Sequence, residues 1–568
     1  MIVEQERRWS TLRPVALFLL FVLLAGVRAE EVQPGAVVTL LQGSGFGLTG
    51  ARSDLVTAPD GRVLIAWVNQ TGAGLEIWYA VYSGEVGFLT APRPLFIPSN
   101  PQAQRTVKVA STGTRFMIVW DEAVPGSPFG LDHDIRFVIL DHSGLQLGAP
   151  VQANVQSGYY EQEPDCAGSL DGRFVVTWVR YGGAPGLPSE GIFARTYDEN
   201  GQPLEAQPLR VDDPAENLGH QLKPSVAVWP GGGTAIVWQD GILGAAPSSP
   251  GTFDQGGSGI RGRFFDASLT PITNPVQINA SGSGDQVGPS ISAATSGVTI
   301  ISFSSRSPGG VWDVFWRRFS PDGAPIESSD VLVTASLSQS EHVSEVSMTP
   351  SGEFAVAWSE EPAWQTCSAA QANPARIARY TTGGEHIETF EIEDVSQGAA
   401  SQARPGVALD QWGNVYTAYE SCILVGSSAW VDVRFRTFKR EMIEFVPENV
   451  APGGSVSLKL ESPSDANHLY ILLASLGTGP MPIDYRLLKL EQDILFDSSL
   501  PTQSNGVFED FFGLLDDDGE SPYPGTPLSP MLHVPAVPGF SGITLNFAFV
   551  AGLSSIHTIS DTYSITIQ

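Results

Sequence analysis

The sequence is poor in the residues that announce chemistry. It has three cysteines and eight histidines in 568 residues, and they form no H-E-x-x-H motif and no paired metal ligands. No G-x-S-x-G, Walker or dinucleotide-binding glycine motif stands in a strand–turn–helix setting, which removes common nucleophilic and nucleotide-handling scaffolds. Positive charge is scarce: 31 Lys and Arg face 61 Asp and Glu, a formal net charge of −30. Such a surface repels phosphate backbones and anionic lipid, so nucleic acid and membrane surfaces are poor partners. Cations, neutral glycans and proteins stay open as partners, and calcium is the one cofactor the composition leaves in play. After residue 27 no apolar run is long enough to cross a bilayer.

The run before that point is "VALFLLFVLLAGV", Val15 to Val27, preceded by Arg7, Arg8 and Arg13 and followed by "RAE". A basic region, a short apolar region and a small-residue site predict a secretory signal over residues 1–29, cleaved after Ala29. The run is short for an anchor. "RRWSTL" matches a twin-arginine signal only weakly, and no cysteine follows that would accept lipid. The expected address is extracytoplasmic: secreted, periplasmic or at the cell surface. Loss of four Arg and two Glu with the signal leaves the remaining chain near −32.

What the sequence has in quantity is glycine (60) and proline (42), spread along a repeat. Phrases such as "GRFVVTW" close on Trp67, Trp120, Trp178, Trp238, Phe303, Trp358 and Tyr419. Fourteen residues before each stands Ser53, Thr106, Pro164, Pro224, Pro289, Ser344 or Pro405, a spacing that needs no gaps. Each phrase reads as strand, Asp-Gly or Gly-Gly turn, strand. A third strand follows, as in "IFARTYDENG" and "IRGRFFDASL", and a fourth, as in "PVQAN" and "PVQIN". Four consecutive antiparallel strands repeated seven times predict an all-β fold, a seven-bladed β-propeller over residues 36–440. The seventh repeat lacks its fourth strand, and "AVVTLL" (Ala36–Leu41) stands unpaired before the first. It is expected to complete the last blade and remove an open edge. From residue 443 to 568 the repeat is absent, and alternating strands predict a C-terminal β-sandwich.

These residues carry a resemblance. "LDGRFVVTW…GIFARTYDENGQPLEAQPLRV" is similar to the propeller repeats of large exported bacterial proteins. The tail, with "VAPGGSVSLKLESP", "LYILLASLGTGP" and "LLDDDGES", resembles a C-terminal domain common in planctomycete and related bacterial exported proteins. The resemblance implies a fold and an extracytoplasmic address and supplies no catalytic residues.

Long second-to-third strand loops on one face make that face the expected binding surface. Seventeen residues before the aromatics stand Glu161, Gln221, Gln286, Glu341 and Gln402. They read either as a ring of acceptors for a sugar or cation, or as partners of buried backbone groups where the inner strands start. Trp364 reads as a sugar-stacking platform or a loop-packing residue. Arg195, Arg263, Arg317 and Arg436 recur on the third strand, where they point between blades rather than into one pocket. "GLLDDDGES" (Gly513–Ser521) lacks the alternation of an EF-hand loop and reads as a turn. The leading expectation is therefore a non-catalytic exported binding or scaffold protein that recognises a protein or glycan. The alternative is a carbohydrate-active enzyme, hydrolase or lyase, with carboxylates at the channel mouth.

Cys367 and Cys422 fall in corresponding loops of blades six and seven and are expected to form a disulfide, whereas Cys166 is expected to be a buried free thiol. Peptide mapping without reductant should recover Cys367 and Cys422 in one linked peptide, and reduction should lower stability by about 4 kcal/mol. Recovery of both as free thiols refutes the pairing.

Overall fold

The computed structural model describes residues 32–44 and, from Ser53 to the C-terminus, all but short segments. The main omissions are 96–105, 125–131, 156–159, 182–188, 214–219, 242–256, 334–340, 361–373, 394–400 and, in the tail, 493–498, 500–506 and 522–529. Seven antiparallel four-stranded units follow one another, the first six in plain sequential order and the seventh completed from the start of the chain, so residues up to 440 form a seven-bladed β-propeller. Blade 3 is typical: Tyr160–Ser169, Arg173–Tyr181, Ser189–Asp198 and Leu209–Arg210. The first strands of all seven blades touch one another in a closed ring, with Ser401–Leu409 of blade 7 meeting Ser53–Thr57 of blade 1.

Each blade buries both faces, which explains its unbroken apolar second strand. Seven clusters of apolar side chains lie between consecutive blades, and each takes one repeat aromatic on the face toward the preceding blade. Trp67, Trp120, Trp178, Trp238, Phe303 and Tyr419 are wholly inaccessible, and Trp358 almost so. Sheets that fan out from an axis leave a widening gap, and a large flat ring fills it at packing density.

Four arginines tie the outer parts together. Arg317 donates from Nε to Glu327 O of its own blade (3.0 Å) and from Nη1 to Ile278 O of the blade before (2.9 Å). Arg195, Arg263 and Arg436 do the same with Glu205 and Ala153, Thr273 and Val211, and Gly35 and Ile392. Each guanidinium also lies 5.1–5.8 Å from the centre of the aromatic ring two residues on. Outward carbonyls at the blade rims are thereby satisfied, and no arginine of this set is left for a pocket.

Closure follows the expected route. Val38–Ser44 pairs antiparallel with Ser428–Arg440 of blade 7, Val38 opposite Phe435 and Thr39 opposite Arg434, and Val32–Pro34 pairs with the far end of the same strand. The gapless spacing, however, fails in blade 2. Val107, not Thr106, stands opposite Trp120, whereas Ser53 stands opposite Trp67. The reason is a shorter turn: Thr112 N–H donates to Arg115 O, three residues on, where blades 1, 4, 5, 6 and 7 close over four. Near the axis the backbones themselves approach, and a Cβ on Gly168 would lie 2.2 Å from Ser111 O of blade 2.

Residues from Ile443 build a four-stranded and a five-stranded antiparallel sheet that share one core, with Val456, Leu458 and Leu532 on one side and Leu472, Phe547 and Phe549 on the other. This sandwich touches the propeller where Tyr563 Oη donates to Arg440 O at 2.7 Å. No helix among the described residues is long and apolar enough to cross a membrane.

Truncating one inter-blade aromatic tests the packing account. Trp238→Ala should lose about 3–5 kcal/mol in urea titration; a loss below about 1 kcal/mol would show that the gap collapses without its ring.

Candidate functional site

The innermost strands end at a central channel, a cavity of about 250 Å³ lined by all seven blades. At its head lies one residue from each blade, the position paired to the residue just before the aromatic: Asp54, Lys108, Asp165, Ser225, Ser290, Glu345 and Gly406. From there the lining runs toward the short first-to-second strand turns, through Ala58, Ser111, Leu170, Pro230, Thr295, Pro350 and Gln411. The loops on the opposite face, which the sequence reading took as the binding surface, largely lie outside the described residues.

The ring position has a structural duty. An innermost strand has no further strand to pair with, so its outward N–H groups need other acceptors. Val109 N–H of blade 2 donates to Asp54 Oδ2 of blade 1 at 2.7 Å, and Val226 N–H of blade 4 to Asp165 Oδ2 of blade 3 at 2.9 Å. Val346 N–H of blade 6 donates to Ser290 Oγ of blade 5 at 3.2 Å. Asp and Ser suit this job because their side chains are short, with acceptor atoms one (Ser) or two (Asp) bonds beyond Cβ.

The ring also concentrates charge. Lys108 Nζ reaches across to Glu345 Oε1 at 3.0 Å and lies 3.6 Å from Asp54 Oδ1. The second distance is an ion-pair contact but too long for a hydrogen bond, so Asp54 Oδ1 is not tied to the ammonium. The side chains of Lys108, Asp54 and Glu345 are 24%, 13% and 31% exposed, all toward the bore. Burial pushes the Asp54 carboxyl up to about 7 from an ordinary 3.8; Lys108 opposes the rise, and Glu345 and Asp165 add to it. Asp165 is raised for the same first reason. Burial alone would depress Lys108, but Asp54, Glu345 and Asp165 together hold it well above the usual lysine value. The site therefore combines a carboxyl that keeps its proton near neutrality with a second carboxylate bonded to an ammonium.

The five residues predicted seventeen before the aromatics sit elsewhere. All are buried, and none lines the channel. Glu161 Oε1 accepts from Trp178 Nε1 (3.2 Å) and Arg180 Nε (2.9 Å), and burial raises its carboxyl to about 7. Gln221 donates to Asp240, Gln286 bonds Asn279, Ser283 and Ser305, and Gln402 accepts from Ala375 N–H at 3.0 Å. Glu341 borders a separate cleft with Trp358 and Tyr380.

A bulge separates these residues from the ring. Pairing in the first strand slips between Gln162 and Asp165, and likewise in blades 4 to 7. The extra residue takes a left-handed backbone at Glu163, Lys223, Gly288 and Arg404, with φ between 47° and 61°. One added residue reverses which face each side chain takes, so Glu161 turns to Trp178 while Asp165 turns to the next blade. Trp364 and Cys367 lie outside the described residues, as does the side chain of Cys422, and the disulfide with them. Cys166 is a buried free thiol in the channel wall, its thiol pushed up by burial. Among the described residues no group of three His, Cys, Asp or Glu side chains is placed to hold a metal ion. At the tail, Asp516 and Glu520 close a turn on each other.

No family model matches the chain, and no curated protein does. Solved structures do. An α-L-arabinanase of Penicillium chrysogenum is 11% identical with a TM-score of 0.39, covering 71% of this chain and 98% of its own. An α-L-arabinofuranosidase of Fusarium graminearum is 12% identical with a TM-score of 0.42, covering 61% and 97%. An ulvan lyase is 11% identical with a TM-score of 0.42, covering 70% and 95%. At these values the likeness is one of fold. These three neighbours are glycan-cleaving enzymes where a non-catalytic binding or scaffold protein was expected, and that expectation is not carried forward.

The raised carboxyls have a measurable sign. Between 3.8 and about 7 the folded chain holds a proton on Asp54 that the unfolded chain has released. Stability should therefore fall as pH rises through that window, and Glu161 adds the same sign between 4.5 and about 7. Asp54→Asn keeps the acceptor for Val109 and should make the melting temperature less steep from pH 4 to 7. Identical slopes in the two proteins would mean that Asp54 titrates normally.

Proposed function

We propose that the chain is an exported glycoside hydrolase that cleaves an uncharged glycan at the head of the propeller channel. The observation that carries this reading is the pair Asp54 and Glu345 on one ammonium. The two oxygens lie 3.6 and 3.0 Å from Lys108 Nζ, so they are at most about 7 Å apart, close enough to serve one glycosidic bond as an acid–base pair. In this reading Asp54 gives its proton from Oδ1 to the leaving glycosidic oxygen as the C–O bond breaks. Glu345, bonded to Lys108, is the carboxylate that attacks the anomeric carbon or takes a proton from the water that does. Ser225 and Ser290 offer hydroxyls at the same level of the bore.

Charge favours hydrolase over lyase. Lys108, the one cation of the ring, is already engaged by Glu345, so it is not left free to pair with the uronate carboxylate on which a lyase acts. Export is supported by the basic and apolar start of the sequence, and the C-terminal sandwich is read as an accessory module.

A reducing-end assay across uncharged and uronate-containing polysaccharides at pH 5–8 tests the proposal. Turnover of an uncharged substrate should drop at least about 10²-fold in Asp54→Asn and in Glu345→Gln. Wild-type levels in both variants, or turnover of uronate polymers alone, would overturn it.

A further inference from the structure

We infer that Lys108 is the residue that positions the proton in the channel, bonding Glu345 and leaving Asp54 Oδ1 as the carboxyl oxygen free to carry it. The inference rests on the hydrolase reading for its consequence in catalysis, and on geometry for its substance. Lys108 is the one cation of the seven-residue ring. It leaves its own strand in blade 2 and crosses to Glu345 in blade 6, a partner 237 residues on, at hydrogen-bond distance. Its contact with Asp54 is 0.6 Å longer, 3.6 against 3.0 Å, which ranks the two carboxylates. The groups that face it are Asp54 from blade 1, Asp165 and Cys166 from blade 3, and Glu345 from blade 6.

The neighbours differ in what else satisfies them. Asp54 and Asp165 each accept a backbone N–H from the next blade. Glu345 takes Lys108 on Oε1 and Ser290 Oγ, at 3.3 Å, on Oε2. Of these hydrogen bonds to Glu345, the lysine's is the one from a charged group, and so the stronger. The short turn at Thr112–Arg115 is what brings a lysine to this level, since a turn of the common length would set Val107 there.

Lys108→Met and Lys108→Arg in the full chain separate positioning from packing. Methionine keeps the stem and removes the charge, so the limb of the pH–activity profile set by Asp54 should move up by about one unit or more. Arginine should leave it near the wild-type position. Without any substrate, the pH at which stability stops falling should also rise by about one unit in Lys108→Met, read as melting temperature against pH. Should the methionine variant not fold, Lys108→Gln carries the same expectation. If the wild type turns over no glycan but the stability window moves as stated, the hydrolase reading fails and the assignment of Lys108 stands. An unmoved window in a folded charge-removing variant overturns the assignment, whatever the activity.

Discussion

Everything at the centre of this molecule follows from one constraint: seven strands converge on an axis, and each has an edge with no strand to meet it. Backbone N–H groups there cannot be left bare, and the fold answers with short side-chain acceptors supplied by the blade before. Asp54, Asp165 and Ser290 do this at one level, and Ser292 and Ser347 do it further down, accepting from Met348 and Leu409. A carboxylate chosen to stitch two blades is thereby held at the wall of a narrow bore. The same burial that makes it a good acceptor raises its proton affinity. The atoms that stitch the blades are the atoms whose hold on a proton is raised.

The remainder of the ring is stabilised away from the axis. One aromatic per interface fills the gap between sheets, and in four of the blades a third-strand arginine spans to the blade before. These features were legible in the sequence because they repeat. A large apolar ring recurring at 53 to 65 residues has few other uses, and an arginine two residues before an aromatic on a third strand gives its direction away. The missing fourth strand of blade 7 was legible for the same reason, as a gap in a count.

The site was not legible, and the causes are local. The ring residue is a single position that varies from Asp to Lys to Gly, so no pattern marks it. The bulge before it reverses the facing of everything upstream, which is why Glu161 and Gln402 read as mouth residues and are buried against Trp178 and Ala375 instead. Lys108 was further concealed by one residue missing from a turn, since an even fourteen-residue step points to Thr106. A signal did exist: Asp or Glu directly after the proline or serine of three repeats, and a turn written "TGT" where its relatives have "PDG" or "PSG".

The closing strand sets an order of events. Val38 meets Phe435, so a strand near the start of the chain must wait for one made almost four hundred residues later. At about 5–20 residues per second that delay is roughly 20–80 s. Blades 1 to 6 can stack during it, but the circle stays open, with the lone strand at one end and the last blade still to come. A chain cut short anywhere before its seventh sheet would hold a strand that has nowhere to go, and the ribosome's final third decides whether the first third is ever sealed.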